Sequence, residues 1–415
     1  MRNPDVIVIG AGQSGLVMSR SLTAHGVDHV VLERGRIGER WHAERWNSLH
    51  LLTNNAMSAL PGLPHAGLDP EGFMPARTFA GYLAAYADIM AAPVIGGVTV
   101  SRVEPSARGY RVTTNAGQWH TRAVVVATGA CDEPHRPPMA RALDLSVVQI
   151  SPSDYREPGQ LPDGGVLVVG ASSTGAQLAE EIHASGRPVT LAVGDHISVP
   201  RRYRGRDTYA WMETAGILDD PALEGGNLES ARRQPSLQLV GRSDHRDLNL
   251  EILNRQGIRL LGRLAAIDGT QIGFSGDLAR TTAASHARMI KVLDRIDGCI
   301  ADRGLGAPKA DRAARVPFLP ESEPLTLDLQ HEGIRSVVWA TGYVRRYPWL
   351  KVPVLDSRGE IVHRGGVTAS PGLYALGLVF LRRRRSSFID GCGLDAEDLA
   401  PAVKAHLDLS AKRVA

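Results

Sequence analysis

One pattern of apolar and polar positions runs through this chain twice. Val6-Ile7-Val8-Ile9 is a short apolar run with no polar break, which predicts a strand buried on both faces of a parallel sheet. The turn Gly10-Ala11-Gly12-Gln13-Ser14-Gly15 follows. A helical stretch then runs from Leu16 to Ala24, Gly26 closes it, and a second apolar run from His29 to Leu32 ends at Glu33. In mid-chain, Val166-Leu167-Val168-Val169 leads into Gly170-Ala171-Ser172-Ser173-Thr174-Gly175. A helix from Ala176 to Ser185, closed by Gly186, and a strand from Pro188 to Val193 follow. The predicted fold class is α/β, with two Rossmann-like dinucleotide-binding domains.

Each glycine has a separate physical task. In the first turn Gly10 permits the tight bend, Gly12 lets backbone approach a pyrophosphate, and Gly15 lets the helix pack close to the strand. The free N–H groups of the helix start face the phosphates. Glu33 stands where a carboxylate accepts from an adenosine ribose. In the second turn Gly170 and Gly175 keep the outer positions, and Ser172, the smallest polar substitute, stands in the middle beside Ser173 and Thr174. No acid ends the second strand. That absence, with Arg201, Arg202 and Arg204 nearby, favours the 2′-phosphate of NADPH over the hydroxyl of NADH; a solvated basic loop is the other reading of those arginines, and Asp195 works against phosphate.

Two segments share another signature, a buried strand running into a small residue, a hydroxyl and a glycine. They are Ala123 to Thr128-Gly129 and Val337 to Thr341-Gly342. One precedes the second glycine turn and the other follows it, so the second domain is expected to be inserted into the first. Pro/Gly-rich stretches at 152–165 and 316–324 mark the crossings. The expected division is 1–155 and 326–415 for the first domain and 156–325 for the second. Within the second, 258–272 reads as a hairpin and 277–302 as helix, with apolar spacing at Leu278, Ile290, Leu293 and Ile296.

Composition removes some function classes. Net charge is +3 with 22% charged residues, too balanced to point to nucleic acid or a membrane surface. The three cysteines, Cys131, Cys299 and Cys392, form no CxxC pair, so no redox dithiol or zinc site is expected. The fourteen histidines are scattered without ligand spacing. No apolar run reaches the roughly 20 residues of a membrane span, and no signal peptide is recognised, so a soluble cytoplasmic protein is expected.

The chain resembles the class B flavoprotein monooxygenases, the flavin-containing monooxygenases and Baeyer–Villiger enzymes, and among them the short bacterial oxidoreductases. The resemblance rests on the nested glycine turns, the two Ala-Thr-Gly turns and several shorter matches. These are Gly38-Glu39-Arg40-Trp41, Leu52-Thr53-Asn54, the helix around Tyr82 and Tyr86, and Pro371 to Gly377 followed by Ser387-Phe388-Ile389-Asp390-Gly391. It implies FAD in the first domain and NADPH in the second. Expected cofactor contacts are Gly10, Gly12, Gly15, Glu33, Arg34, Trp41, Thr53, Val103, Gly129, Gly377 and Asp390, together with Gly170, Ser172, Ser173, Thr174, Gly175, Arg201, Thr341 and Gly342. It further implies that reduced flavin and O2 give a C4a-hydroperoxide, with Asn54 matching the asparagine that positions the peroxide. A turn-capping asparagine is the plainer reading of Asn54.

The family signature F-x-G-x-x-x-H-S-x-x-Y/F is altered in this chain. Tyr155 matches its aromatic, but Ser151 stands for the histidine and Pro152 for the serine. This puts a long-lived peroxide in doubt, not the binding of FAD or NADPH. The leading expectation is an NADPH-dependent monooxygenase acting with O2 on a small amine, sulfur compound or ketone. The alternatives are a flavoprotein reductase that does not oxygenate and a cofactor-binding redox sensor. A thioredoxin reductase-type enzyme would need the missing cysteine pair. Arg382 to Arg385, beside the expected flavin strand, read either as a solvated face or as cations near the flavin.

Overall fold

The computed structural model describes residues 3–222, 228–310, 315–320 and 324–412. The first pattern forms β1 (Val6–Ile9), α1 (Gln13–Ala24) and β2 (His29–Leu32). Next come α2 (Ala76–Ile89) and β3 (Val94–Ile95). An antiparallel layer follows, β4 (Val100–Ser106), β5 (Gly109–Thr114) and β6 (Gly117–Thr121), and then β7 (Ala123–Val126). The chain crosses to β8 (Val148–Ile150), β9 (Gly165–Val169), α3 (Ser173–Ala184), β10 (Val189–Ala192) and α4 (Thr208–Thr214). It continues through β11 (Arg259–Leu261), β12 (Leu264–Asp268), β13 (Gln271–Phe274), α5 (Leu278–Asp302), β14 (Thr326–Asp328) and β15 (Ile334–Trp339). It returns through β16 (Leu373–Ala375) to α6 (Gly391–Lys412).

Two five-stranded parallel sheets result, ordered β16-β7-β1-β2-β3 and β11-β10-β9-β15-β8. Every strand of the second falls in sequence between β7 and β16, which are neighbours in the first. One nucleotide fold is thus inserted in the other. The apolar runs have the composition that burial on both faces demands. Along β9 the two-residue period sends Val166 and Val168 to the side packed by Ala176 and Leu178 of α3. Leu167 and Val169 go to the side packed by Leu264, Ile272 and Phe274. In the first sheet α1 packs against α6.

Two expectations need correction, the domain boundaries and the hairpin. β15 pairs with β9 and β8 in the second sheet, and β8 lies there too, so Ile334–Trp339 does not belong with 326–415 in the first fold, nor Val148–Ile150 with 1–155. A run such as Val337-Val338-Trp339, buried throughout, suits either sheet; pairing, not composition, decides. The segment 258–272 is not one hairpin: β11 extends the parallel sheet, and only β12 and β13 pair antiparallel, with β14 as third strand. The stretch 278–302 is a single helix, whose Met289, Leu293, Ile296 and Ile300 pack with Trp211 and Met212 of α4 and with Met57 of the first fold.

The glycines make a test of this packing. A Cβ on Gly15 would stand 1.8 Å from the Gly10 carbonyl oxygen, whereas one on Gly81, exposed in α2, would meet nothing within 4 Å. Gly15→Ala is expected to cost about 2–3 kcal/mol by overpacking. Gly81→Ala should gain about 0.5–1 kcal/mol from helix propensity. Urea unfolding of both variants checks the contrast.

Candidate functional site

The first glycine turn is fixed from two sides. Gly10 has φ +106°, and a Cβ there would stand 2.7 Å from the Ala127 carbonyl oxygen at the exit of β7. At Gly12 a Cβ would meet nothing within 4 Å, so open space lies before the start of α1, which no side chain caps. Glu33 is buried. Its carboxylate accepts from the N–H of Ala11 at 2.8 Å and of Gly35 at 2.9 Å, so it ties the turn to the end of β2. Trp41 packs edge-on against Phe79, and its indole N–H points at Gln13 Oε1, 3.4 Å away at the helix start. An uncapped helix start behind a bare glycine, with an acid at the next strand's tip, fits the phosphates and ribose of a dinucleotide.

The second turn copies the first. Gly170 has φ +103°, with its Cβ position 2.3 Å from the Ala340 oxygen, and a Cβ on Gly175 would stand 1.8 Å from the Gly170 oxygen. The start of α3 is also uncapped. Each Ala-Thr-Gly turn therefore backs the glycine turn of its own sheet. Gly129 (φ +84°) and Gly342 (φ +88°) hold left-handed backbone beside open space. Some side chains turn inward, however. The Ser173 hydroxyl donates to the Leu239 carbonyl at 3.3 Å and accepts from Gln177 at 2.9 Å. The Thr341 hydroxyl donates to the His135 carbonyl. The Ser173 hydroxyl is therefore engaged within the protein, and the Thr341 hydroxyl has its proton engaged and keeps acceptor capacity. Ser172 and Thr174 stay half-buried at the mouth. Fully buried Gln238, missed in a stretch that reads only as polar, supports the turn by donating to the Ala171 carbonyl.

Between the two folds lies the segment 49–58. Asn54 is buried, and its Oδ1 accepts from the N–H of Met57 at 3.0 Å. That bond fixes which way the amide faces and leaves Nδ2 without a bond among the described residues. The capping role is therefore met by Oδ1, and the amide N–H groups stay unused within the described residues. Thr53 and Ser58 hydroxyls lie 2.8 Å apart, and the Ser58 hydroxyl also reaches the Asn54 carbonyl at 2.8 Å.

Arg201 corrects the sequence reading outright. It is fully buried, paired with Asp207 at 2.5 Å, and donates to the Leu52 carbonyl at 2.8 Å. Its guanidinium lies over the rings of Phe73 (4.9 Å) and Tyr209 (5.6 Å). It holds the Thr53–Asn54 segment and is closed to phosphate. Arg202 pairs with Glu71 at 3.0 Å and Arg204 with Asp297 at 2.9 Å.

The return segment closes the first cradle. Gly377 has φ +77°, and a Cβ there would stand 2.3 Å from Ser14 Oγ, so only glycine lets the exit of β16 cross the start of α1. Asp390, just before α6, meets Arg385 at 2.8 Å. Burial pushes its carboxyl up, opposed by Arg385, and Oδ1 is buried without a protein partner. The run Arg382–Arg385 is not a free basic face. Arg383 pairs with Asp395 (3.2 Å), Arg384 with Asp220 (3.5 Å), and buried Arg385 with Asp219 and Glu213 (both 3.1 Å).

Val103 is another correction. Its N–H donates to the Trp349 carbonyl and its carbonyl accepts from Lys351, so its buried backbone is fully used within the protein. Arg34 borders a cleft of about 500 Å³ with Glu44, Asp132, Glu133, Arg156 and Arg346, and no glycine-turn residue lines it. At the crossing, the Ser151 hydroxyl donates to Asp154 at 2.6 Å, and Tyr155 is buried with its hydroxyl 3.1 Å from Glu181 of α3.

The sequence pattern of the pyridine nucleotide-disulphide oxidoreductase family matches residues 7–204. A CzcO-like oxidoreductase of Geobacillus kaustophilus is 31% identical over 407 residues, 97% of this chain and 99% of its own. The chain belongs to the CzcO-like oxidoreductases. It is an FAD- and NADPH-dependent oxidoreductase. The indole-3-pyruvate monooxygenase YUCCA1 of rice is 28% identical over 214 residues, 50% of this chain and 52% of that protein. The solved flavin-containing monooxygenase of Stenotrophomonas maltophilia shares the fold of this family member, with TM-score 0.68 and 20% identity over 98% of this chain and 99% of that one. Among the described residues no helix is long and apolar enough to cross a membrane.

Two substitutions test the geometry. Glu33→Ala removes the acceptor of two N–H groups and should lower FAD affinity at least about tenfold, read by titrating flavin into the FAD-free protein. Arg201→Leu leaves Asp207 buried without its cation and should cost about 3–5 kcal/mol, read by urea unfolding.

Proposed function

We propose that the protein is an NADPH-consuming flavin monooxygenase that transfers one oxygen atom of O2 to a small amine or sulfur nucleophile, or to a ketone. The balance is one substrate, O2, NADPH and one proton giving oxygenated substrate, water and NADP⁺. Bound flavin supplies the electrons that activate O2. The monooxygenase character of the similar rice and Stenotrophomonas proteins supports this reading.

The observation that carries it is Asn54. Its Oδ1 is held by the Met57 N–H, and the segment is clamped from the second fold by Arg201 at the Leu52 carbonyl. Its Nδ2 is then a neutral donor whose direction that bond fixes. Such a donor holds an oxygen in place without protonating it, and a buried site keeps water from competing. In this reading Gly10, Gly12, Gly15, Glu33, Trp41, Gly129, Gly377 and Asp390 surround FAD. Gly170, Ser172, Thr174, Gly175 and Gly342 surround NADPH.

A second reading, an NADPH oxidase or reductase that releases peroxide, is favoured by the crossing. There the Ser151 hydroxyl is bound to Asp154 and is not free to follow a cofactor. Disulfide reduction is disfavoured, since Cys131 is exposed, Cys299 half-buried and Cys392 buried, all three free.

The ratio of peroxide released to NADPH consumed separates the two. With an accepted amine or sulfide the ratio should stay near zero. In Asn54→Ala, flavin reduction by NADPH should keep its rate within about twofold while at least half of the oxygen leaves as peroxide, in line with the loss of one positioned donor. A wild-type protein that releases peroxide stoichiometrically with every amine, sulfide and ketone offered is a reductase instead.

A further inference from the structure

The two nucleotide folds of this chain can be compared position by position. Ile9 pairs with Leu32 in the first sheet, and Val169 with Ala192 in the second. Val193 therefore occupies the place of Glu33, and Gly194 the place of Arg34. Val193 is fully buried and apolar, so the acceptor that meets a ribose hydroxyl in the first fold has no counterpart in the second. The next position, Gly194, carries no side chain at all.

That empty place is filled from the neighbouring strand. Arg263 lies two residues beyond the end of β11, which pairs with β10. Its Nη1, Cζ and Nη2 lie 3.6, 3.7 and 4.0 Å from where a Cβ of residue 194 would stand. The backbone beneath it is fixed. The Arg263 N–H donates to Asp277 Oδ1 at 3.0 Å, and its carbonyl accepts from Ser275 at 2.9 Å. The guanidinium itself is held loosely. Nη2 stands 3.3 Å from Asp195 and Nε 3.9 Å from Asp277, with the Arg263 and Asp195 side chains both half-exposed or more.

We propose that Arg263 receives the 2′-phosphate of NADPH and sets the coenzyme preference, with Asp195 as its competing partner. The inference rests on the second cradle holding a nicotinamide dinucleotide, not on the oxygenation chemistry. An exposed Arg–Asp pair is weak, whereas a guanidinium on a phosphate dianion makes paired, charge-assisted bonds. Phosphate therefore displaces Asp195. Of the cations nearest in sequence, Arg201 is buried and Arg202 and Arg204 are paired to Glu71 and Asp297.

The test is binding, by calorimetric titration of the FAD-loaded protein with NADP⁺ and with NAD⁺. Arg263→Ala should weaken NADP⁺ by about 10–100-fold and leave NAD⁺ within about twofold, as expected for losing one charge-assisted contact. Arg263→Lys should recover part of the NADP⁺ affinity, because the charge returns without the fork. Asp195→Asn should tighten NADP⁺ several-fold, on the order of a removed like charge, and leave NAD⁺ unchanged. Equal losses for the two nucleotides in Arg263→Ala, or an unchanged ratio between them, overturn the assignment. A wild-type protein that binds FAD but neither nicotinamide nucleotide overturns the second cradle itself, whatever its reaction with O2.

Discussion

Each cradle depends on one close backbone approach, in which the first turn of a helix lies directly against the carbonyl of the turn's first glycine. At Gly15 on Gly10, and at Gly175 on Gly170, there is no room for a methyl group. That contact aims the uncapped N–H groups of α1 and α3 at the space in front of the middle residue of each turn. It also explains the paired Ala-Thr-Gly turns. The carbonyls of Ala127 and Ala340 press on Gly10 and Gly170 from the adjacent strands β7 and β15, so each turn is shaped by its neighbouring strand as well as by its helix. Cradle and sheet are thus one construction, and a bound dinucleotide adds to a surface that backbone packing has already shaped.

The relation between the two cradles is held differently, by buried charge. Arg201, in the second fold, is stacked between Phe73 and Tyr209, neutralised by Asp207, and bonded to the backbone one residue before Thr53. Arg385, in the return segment, is buried against Asp219, Asp390 and Glu213. Buried cations tolerate little slack, since each lost partner leaves a desolvated charge. A hydrophobic contact could slide by an ångström at little cost, but a buried guanidinium bonded in its plane cannot. The sequence places these arginines near the site, and their work there is to fix the distance between the Asn54 segment and the second cradle.

What the sequence discloses follows from the range of each constraint. The glycine turns, Glu33 and the strand-turn-helix order are legible because their requirements close within about thirty residues, the span of one βαβ unit. The sheet to which Val337-Val338-Trp339 belongs is not legible, because a fully buried parallel strand has no polar face to give away its neighbour. The fates of Arg201 and Val103 depend on partners far along the chain, Leu52 and Trp349, which no local spacing predicts. Asn54 lies between these cases. Its capping bond to Met57 is local and expected of asparagine, while its free amide acquires meaning only once the second fold is seen to clamp the segment.

The two cradles share a backbone plan and differ in the charge at the ribose end, and that difference follows from their ligands. In the first, Glu33 spends one oxygen each on Ala11 and Gly35, so a carboxylate is anchored at the tip of β2. In the second, the same position is buried Val193, the next is bare Gly194, and the nearest charge is a guanidinium supplied by the adjacent strand. A carboxylate anchored to its own turn is a rigid reader of hydroxyls. A half-exposed arginine sharing an aspartate is an exchangeable reader of phosphate, and it leaves the β10 tip free of any side chain that would crowd the coenzyme. The duplication therefore keeps the backbone contacts that both turns demand and changes the two positions at the tip of the second strand.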